Sequence, residues 1–229
     1  MTTTVSPGAT VDSERVRHPY FQGLVTDAAT AVSRIKDGDT VAISGFASAG
    51  TPKAFAPALA ERVRRVRADG GSLSINLLTG ASVAGEAEAL LAEVDGVALR
   101  MPYQSEPTAR GKINDGRMDY VDIHLSHVAQ QVWEGYYGTV DVAVVEVAAV
   151  TEDGKLIPSM SVGNNKTWLE VADAVILEVN SWVPLEVEGM HDVYYGTALP
   201  PNRSPIMMTG PADRIGQPYL EVDPSKVVA

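Results

Sequence analysis

The sequence predicts an α/β fold: an open, largely parallel sheet flanked by helices. Three observations carry the prediction. Short apolar runs alternate with amphipathic stretches along most of the chain, the apolar runs lack the in-and-out alternation of half-exposed strands, and loops of small residues follow two of them.

The elements follow in order. Residues 1–20 are rich in Thr, Ser, Pro and Gly without apolar periodicity, which predicts a flexible lead-in; 21–229 reads as one domain, with order beginning near Val25. Thr26 is placed to cap a helix through Ile35, with Ala28, Ala31, Val32 and Ile35 on one face. Residues 40–44 form a buried strand ending at Gly45, and a helix over 52–67 follows, with Pro52 in its first turn where proline loses no hydrogen bond. A strand over 73–78 and a helix over 86–94 repeat the unit. Strands are predicted over 97–101, 140–147, 156–158 and 174–179, and helices over 108–115, 124–133 and 165–172. The pattern weakens beyond Trp182.

Composition narrows the partners. A formal net charge of -11 argues against nucleic acid and anionic membrane surfaces, both of which demand a basic face. No apolar run approaches the roughly 18 to 20 residues that span a bilayer, and the N-terminal segment lacks the apolar stretch of a signal peptide, so a cytoplasmic protein is expected. With no cysteine, any nucleophile must be oxygen or nitrogen.

Chemistry in such a sheet sits outside the carboxyl ends of the strands, where the small-residue loops fall. Gly45 and Gly50 have the spacing of a phosphate cradle, but Thr51-Pro52-Lys53 replaces the Lys then Ser or Thr of a nucleotide loop. They serve either a sharp turn or an anion site. Thr79-Gly80-Ala81-Ser82 repeats the pattern; Ser82 is a helix cap or an anion contact, and it lacks the frame of a serine nucleophile. Asp122, His124 and His127 provide half a metal site at most, so no metal is assigned. His191-Asp192 reads first as a local hydrogen bond. Arg62, Arg64, Arg65 and Arg67 spread around a helix as a solvated face. Glu146 and Glu178 stand in apolar strands, where burial would raise their pKa values; edge exposure or an ion pair is the simpler reading.

Longer strings carry more. Ser44-Gly45-Phe46, Ala49-Gly50-Thr51-Pro52-Lys53, Leu78-Thr79-Gly80-Ala81-Ser82, Tyr120-Val121-Asp122 before His124-Leu125, Thr151-Glu152-Asp153-Gly154, Ser161-Val162-Gly163-Asn164 and Glu188-Gly189-Met190-His191-Asp192 occur in order. Together they resemble the acetyl-CoA hydrolase/transferase family, and within it the succinyl-CoA:acetate CoA-transferase type, over about residues 24–229. The resemblance implies a sheet of the NagB/RpiA/CoA-transferase type and an enzyme of two such halves, of which this chain is the first. It also implies a glutamate nucleophile that forms a glutamyl-CoA thioester and lies in the second half, absent here, so no catalytic residue is assigned to this chain. Gly45, Phe46, Gly50, Gly80, Ala81, Ser82, Val162, Gly163 and Asn164 are the implied substrate-binding residues. The implied ligands are an acyl-CoA and a small carboxylate, with coenzyme A thioester as substrate and no permanent cofactor. The missing half, or a partner subunit, would complete the cleft; the whole enzyme is expected to be a homodimer, and the chain alone inactive. His127 departs from the glutamine-like residue usual in the family. The alternative is a non-catalytic CoA- or carboxylate-binding subunit that completes a separately encoded partner. A phosphosugar isomerase is disfavoured because no acid/base constellation stands out.

Overall fold

A computed structural model describes residues 12–80, 85–198 and 201–229. The chain runs α1 (Pro19–Gln22), α2 (Ala28–Val32), β1 (Thr40–Ile43), α3 (Phe55–Ala68), β2 (Ile75–Leu78), α4 (Glu86–Glu93), β3 (Val97–Met101), α5 (Pro107–Asn114) and β4 (Asp119–Tyr120). It continues through α6 (Leu125–Trp133), β5 (Val142–Val150), β6 (Leu156–Pro158), α7 (Asn165–Val171) and β7 (Ala174–Val179), with short 3-10 turns at Leu185–Val187 and Pro224–Lys226.

The strands form one sheet of order β4-β3-β2-β1-β5-β6, with β7 also paired to β5. Among the named strands of the described residues, β5 and β6 pair antiparallel and the other pairs are parallel. From β1 the chain steps outward through β2, β3 and β4, then returns to place β5 against the other side of β1. That reversal makes the carboxyl ends of β1 and β5 the switch point of the sheet, where open α/β folds leave a crevice.

Both faces of the sheet are covered, which explains the continuous apolar runs. On one face Val41, Ile43, Ile75, Leu77, Val144 and Ile176 pack with Val32, Phe55, Leu59, Val63 and Leu91 from α2, α3 and α4. On the other, Ala42, Leu78, Val145, Val147 and Val175 meet Val128, Val132, Trp168 and Leu169 from α6 and α7. Trp168 is fully buried, and its indole N–H donates to the Ile43 carbonyl at 3.2 Å.

Several expectations shift. Residues 12–20, expected in the lead-in, hold to the sheet: Val16 is buried and bridges Val150, and the Arg15 guanidinium donates to the carbonyls of Ala148, Asn180 and Ser181. Backbone partners for the end of β5 outweigh the segment's polar composition. Asp27, not Thr26, caps α2, its carboxylate accepting from Thr30 N–H at 2.7 Å. α3 starts at Phe55 rather than near Pro52, for a reason given below. α4 starts at Glu86 with Gly85 in the cap position and no side-chain cap bond, and Ser82, weighed as a cap, lies outside the described residues. β4, a two-residue strand, was too short to leave a periodic signal.

Candidate functional site

Three predicted segments meet at the switch point. The loop after β1 folds back on itself: Phe46 and Ala49 exchange both backbone hydrogen bonds, at 2.8 and 3.0 Å, across Ala47 at φ +55. Gly45 and Gly50 have φ of +126 and +70, backbone conformations that a side chain strains. The Ser161 hydroxyl donates to the Ala49 carbonyl at 2.9 Å, joining the 161–164 segment to this loop.

The glycines permit the approach. A Cβ added at Gly80 would meet the Gly45 carbonyl oxygen closer than 3.0 Å, one at Gly163 would lie 3.2 Å from the same oxygen, and one at Gly50 would lie 2.5 Å from Ser161 Oγ. The three segments after β1, β2 and β6 therefore crowd around one carbonyl. Gly45, Gly50, Gly80 and Gly163 are brought together; the Phe46 side chain points outward and is 56% exposed. Val162 is half-buried, and Asn164 leads into α7 with its Nδ2 buried and unpaired among the described residues. Ala81 and Ser82 lie outside the described residues.

Polar groups beneath the loops were legible only as oddities. Glu146 on β5 is 1% exposed and pairs with Lys53 Nζ at 2.9 Å. Glu178 on β7, beside Glu146 in the strand register, accepts from the backbone N–H groups of Lys53, Ala54 and Phe55. It thus caps α3 from a different strand, which is why the helix waits until Phe55. Burial pushes the Glu178 carboxyl above its ordinary value, opposed by the three amides and reinforced by Glu146. Glu146 thus has the ion pair of the simpler reading, whereas Glu178 has no ion pair among the described residues and is held by backbone amides, its pKa raised by burial.

A second buried cation supports the turn after β2. The Arg100 guanidinium, 1% exposed, donates to Thr79 Oγ1 at 2.7 Å and to the Met101 carbonyl, with Glu88 3.6 Å away. Desolvation pushes its pKa down to about 10, so it stays charged at neutral pH. Thr79 in turn donates to the Gly80 carbonyl at 2.9 Å. Nothing in the local sequence signals Arg100, since an arginine in a strand usually faces solvent.

The remaining candidates are structural. His191 contacts the Ser159 carbonyl through Nε2 at 2.7 Å, whereas the Asp192 carboxylate accepts from the backbone of Ile215 and Gly216, so the two residues do not form a dyad. His124 and His127 stack edge to face at 5.7 Å. Among the described residues no group of three His, Asp or Glu side chains is arranged to hold a metal ion. Arg62 donates to the carbonyls of Val32 and Ile35, and Arg67 to that of Asp95.

A profile of the acetyl-CoA hydrolase/transferase N-terminal domain matches residues 9–229. The chain belongs to this family. It is 38% identical to the succinyl-CoA:acetate CoA-transferase of Clostridium kluyveri, over 96% of this chain and 40% of that protein. It is 40% identical to the propanoyl-CoA:succinate CoA transferase of Escherichia coli, over 87% and 40%, and 39% identical to the acetyl-CoA hydrolase of Schizosaccharomyces pombe, over 94% and 42%. The chain thus spans about two fifths of the length of these relatives. Solved structures agree on the fold: RipA from Yersinia pestis superposes with a TM-score of 0.57 at 21% identity over 69% of this chain and 37% of that one. Glutaconate coenzyme A-transferase from Acidaminococcus fermentans gives 0.52 at 14% identity over 66% and 65%.

Proposed function

We propose that this chain is the N-terminal half of an acyl-CoA:carboxylate CoA-transferase or acyl-CoA hydrolase, and forms one wall of its cleft. The observation that carries the reading is the convergence of Gly45, Gly80 and Gly163 around one carbonyl at the switch point. Backbone packed this tightly lets a ligand approach peptide groups closely, as suits an extended thioester and a small carboxylate. In this reading Phe46 offers an apolar contact, Ser82 and the Asn164 carboxamide offer donors to carboxylate or thioester oxygen, and Ala81 and Val162 complete the wall.

The chemistry belongs to a glutamate of the second half. Its carboxylate attacks the acyl-CoA carbonyl and expels the CoA thiolate, giving an acyl-glutamyl anhydride. The thiolate then attacks the glutamyl carbonyl and releases the acyl group as a carboxylate, leaving glutamyl-CoA. An incoming carboxylate reverses these steps to form the new acyl-CoA, whereas water gives hydrolysis. In this reading the nucleophile is not supplied by this chain: of the two glutamates in the apolar strands, Glu146 is engaged by Lys53 and Glu178 by the start of α3. Supply of the second half on the same polypeptide or by a partner subunit leaves this chemistry unchanged. A cytoplasmic location fits the absence of cysteine.

Borohydride trapping tests the proposal, because it reduces a glutamyl thioester in place. With acetyl-CoA, the chain alone is expected to stay unmodified, and a mixture with a second half to be modified on the second half. A reduced glutamate at Glu146 or Glu178 would overturn the reading.

A further inference from the structure

Glu146 is a hub for both ends of the Gly45–Gly50 loop. Its backbone N–H donates to Ser44 Oγ at 2.9 Å, and that hydroxyl donates to the Gly50 carbonyl at 2.6 Å. Its carboxylate accepts from Lys53 Nζ at 2.9 Å through Oε2, and the same ammonium donates to the carbonyls of Thr51 and, at 3.4 Å, Ser48. One strand residue therefore reaches three loop carbonyls through two intermediaries. We propose that Lys53 and Glu146 act together as a latch that holds residues 45–51 in the shape of the cleft wall, making both positioning residues. The inference rests on the proposed function only for the statement that this loop faces the ligand.

The physical asymmetry of the pair makes it a latch rather than a surface contact. Glu146 is 1% exposed while the Lys53 side chain is 54% exposed. The other carboxylate oxygen, Oε1, has no hydrogen-bond partner, so Lys53 is the one cation in contact with this buried carboxylate among the described residues. Releasing Lys53 would leave a charge uncompensated in the interior, which strongly favours the closed arrangement. Nearby, Glu178 grips the Lys53 backbone N–H, fixing the base of the same side chain. An exposed lysine thereby gains a defined geometry, with the loop carbonyls at 48 and 51 engaged by Lys53 and that at 50 by Ser44.

Hydrogen exchange of the backbone amides, measured on the isolated chain, tests the latch. Lys53→Met is expected to speed exchange across residues 45–51 by about tenfold or more, the scale of a lost charge-assisted hydrogen bond, while α6 and α7 exchange as before. Because Lys53→Met strands a buried carboxylate and can unfold the chain, Lys53→Met/Glu146→Gln is the deciding variant: it removes both charges, and its loop is still expected to exchange fast. Lys53→Arg is expected to restore slow exchange, a rescue that a general packing role would not produce. Loop exchange in the double variant within about twofold of wild type would overturn the latch. Acetyl-CoA added to the wild type together with a second half is a separate arm: failure to protect residues 45–51 there would count against the proposed function and leave the latch standing.

Discussion

Substituting alanine for Gly80 puts the close approach of the two strand-end loops to a direct test. The added Cβ would fall inside 3.0 Å of the Gly45 carbonyl oxygen, a backbone atom held by its own loop and unable to swing away like a side-chain tip. Overpacking of this kind costs about 1–3 kcal/mol. At roughly 2–4 °C per kcal/mol for a domain of this size, Tm should fall by roughly 2–12 °C. Gly111→Ala is the control: it lies in α5 with nothing within 4 Å of the new methyl, and alanine there should stabilise by about 0.5–1 kcal/mol. The assay is thermal unfolding followed by far-UV circular dichroism, with both variants and wild type in one buffer. A Gly80→Ala protein that melts with or above wild type would refute the crowding around Gly45, and with it the central geometric support for the cleft wall.

Two further tests address the groups beneath that wall. Burial raises the folded-state pKa of Glu178 above its unfolded value, so its stabilising protonation is complete below the ordinary carboxylate value and lost as pH climbs through the raised one. Glu178→Gln lacks this titration, so its Tm relative to wild type should rise with pH across that window; a difference that stays flat or falls would contradict the burial. Trp168→Phe removes the indole N–H that donates to the Ile43 carbonyl at the end of β1. Urea unfolding should show a loss of about 1–3 kcal/mol, whereas an unchanged midpoint would mean the bond contributes nothing.

What the sequence determined by itself is the alternation of strands and helices and the family. Both are written locally. β3, β6 and β7 match their predicted limits because apolar runs between turn residues need no distant information, and ordered motifs from Ser44 to Asp192 identify relatives without coordinates. Glycine at a strand end is equally readable as a sharp turn or as an anion site, so the strand-end loops were legible only as positions. Only the tertiary structure shows that Gly80 and Gly163 come against the carbonyl of Gly45 from segments far apart in the chain. It also decided the parts that depend on pairing at a distance. Glu178 caps α3 across more than a hundred residues, Lys53 meets Glu146 across 93, and Arg100 reaches Thr79 from the neighbouring strand. A charge in an apolar strand signals that some partner must exist, since a bare buried charge is too costly to keep; which partner it finds is fixed by strand order and register, and no local pattern contains those.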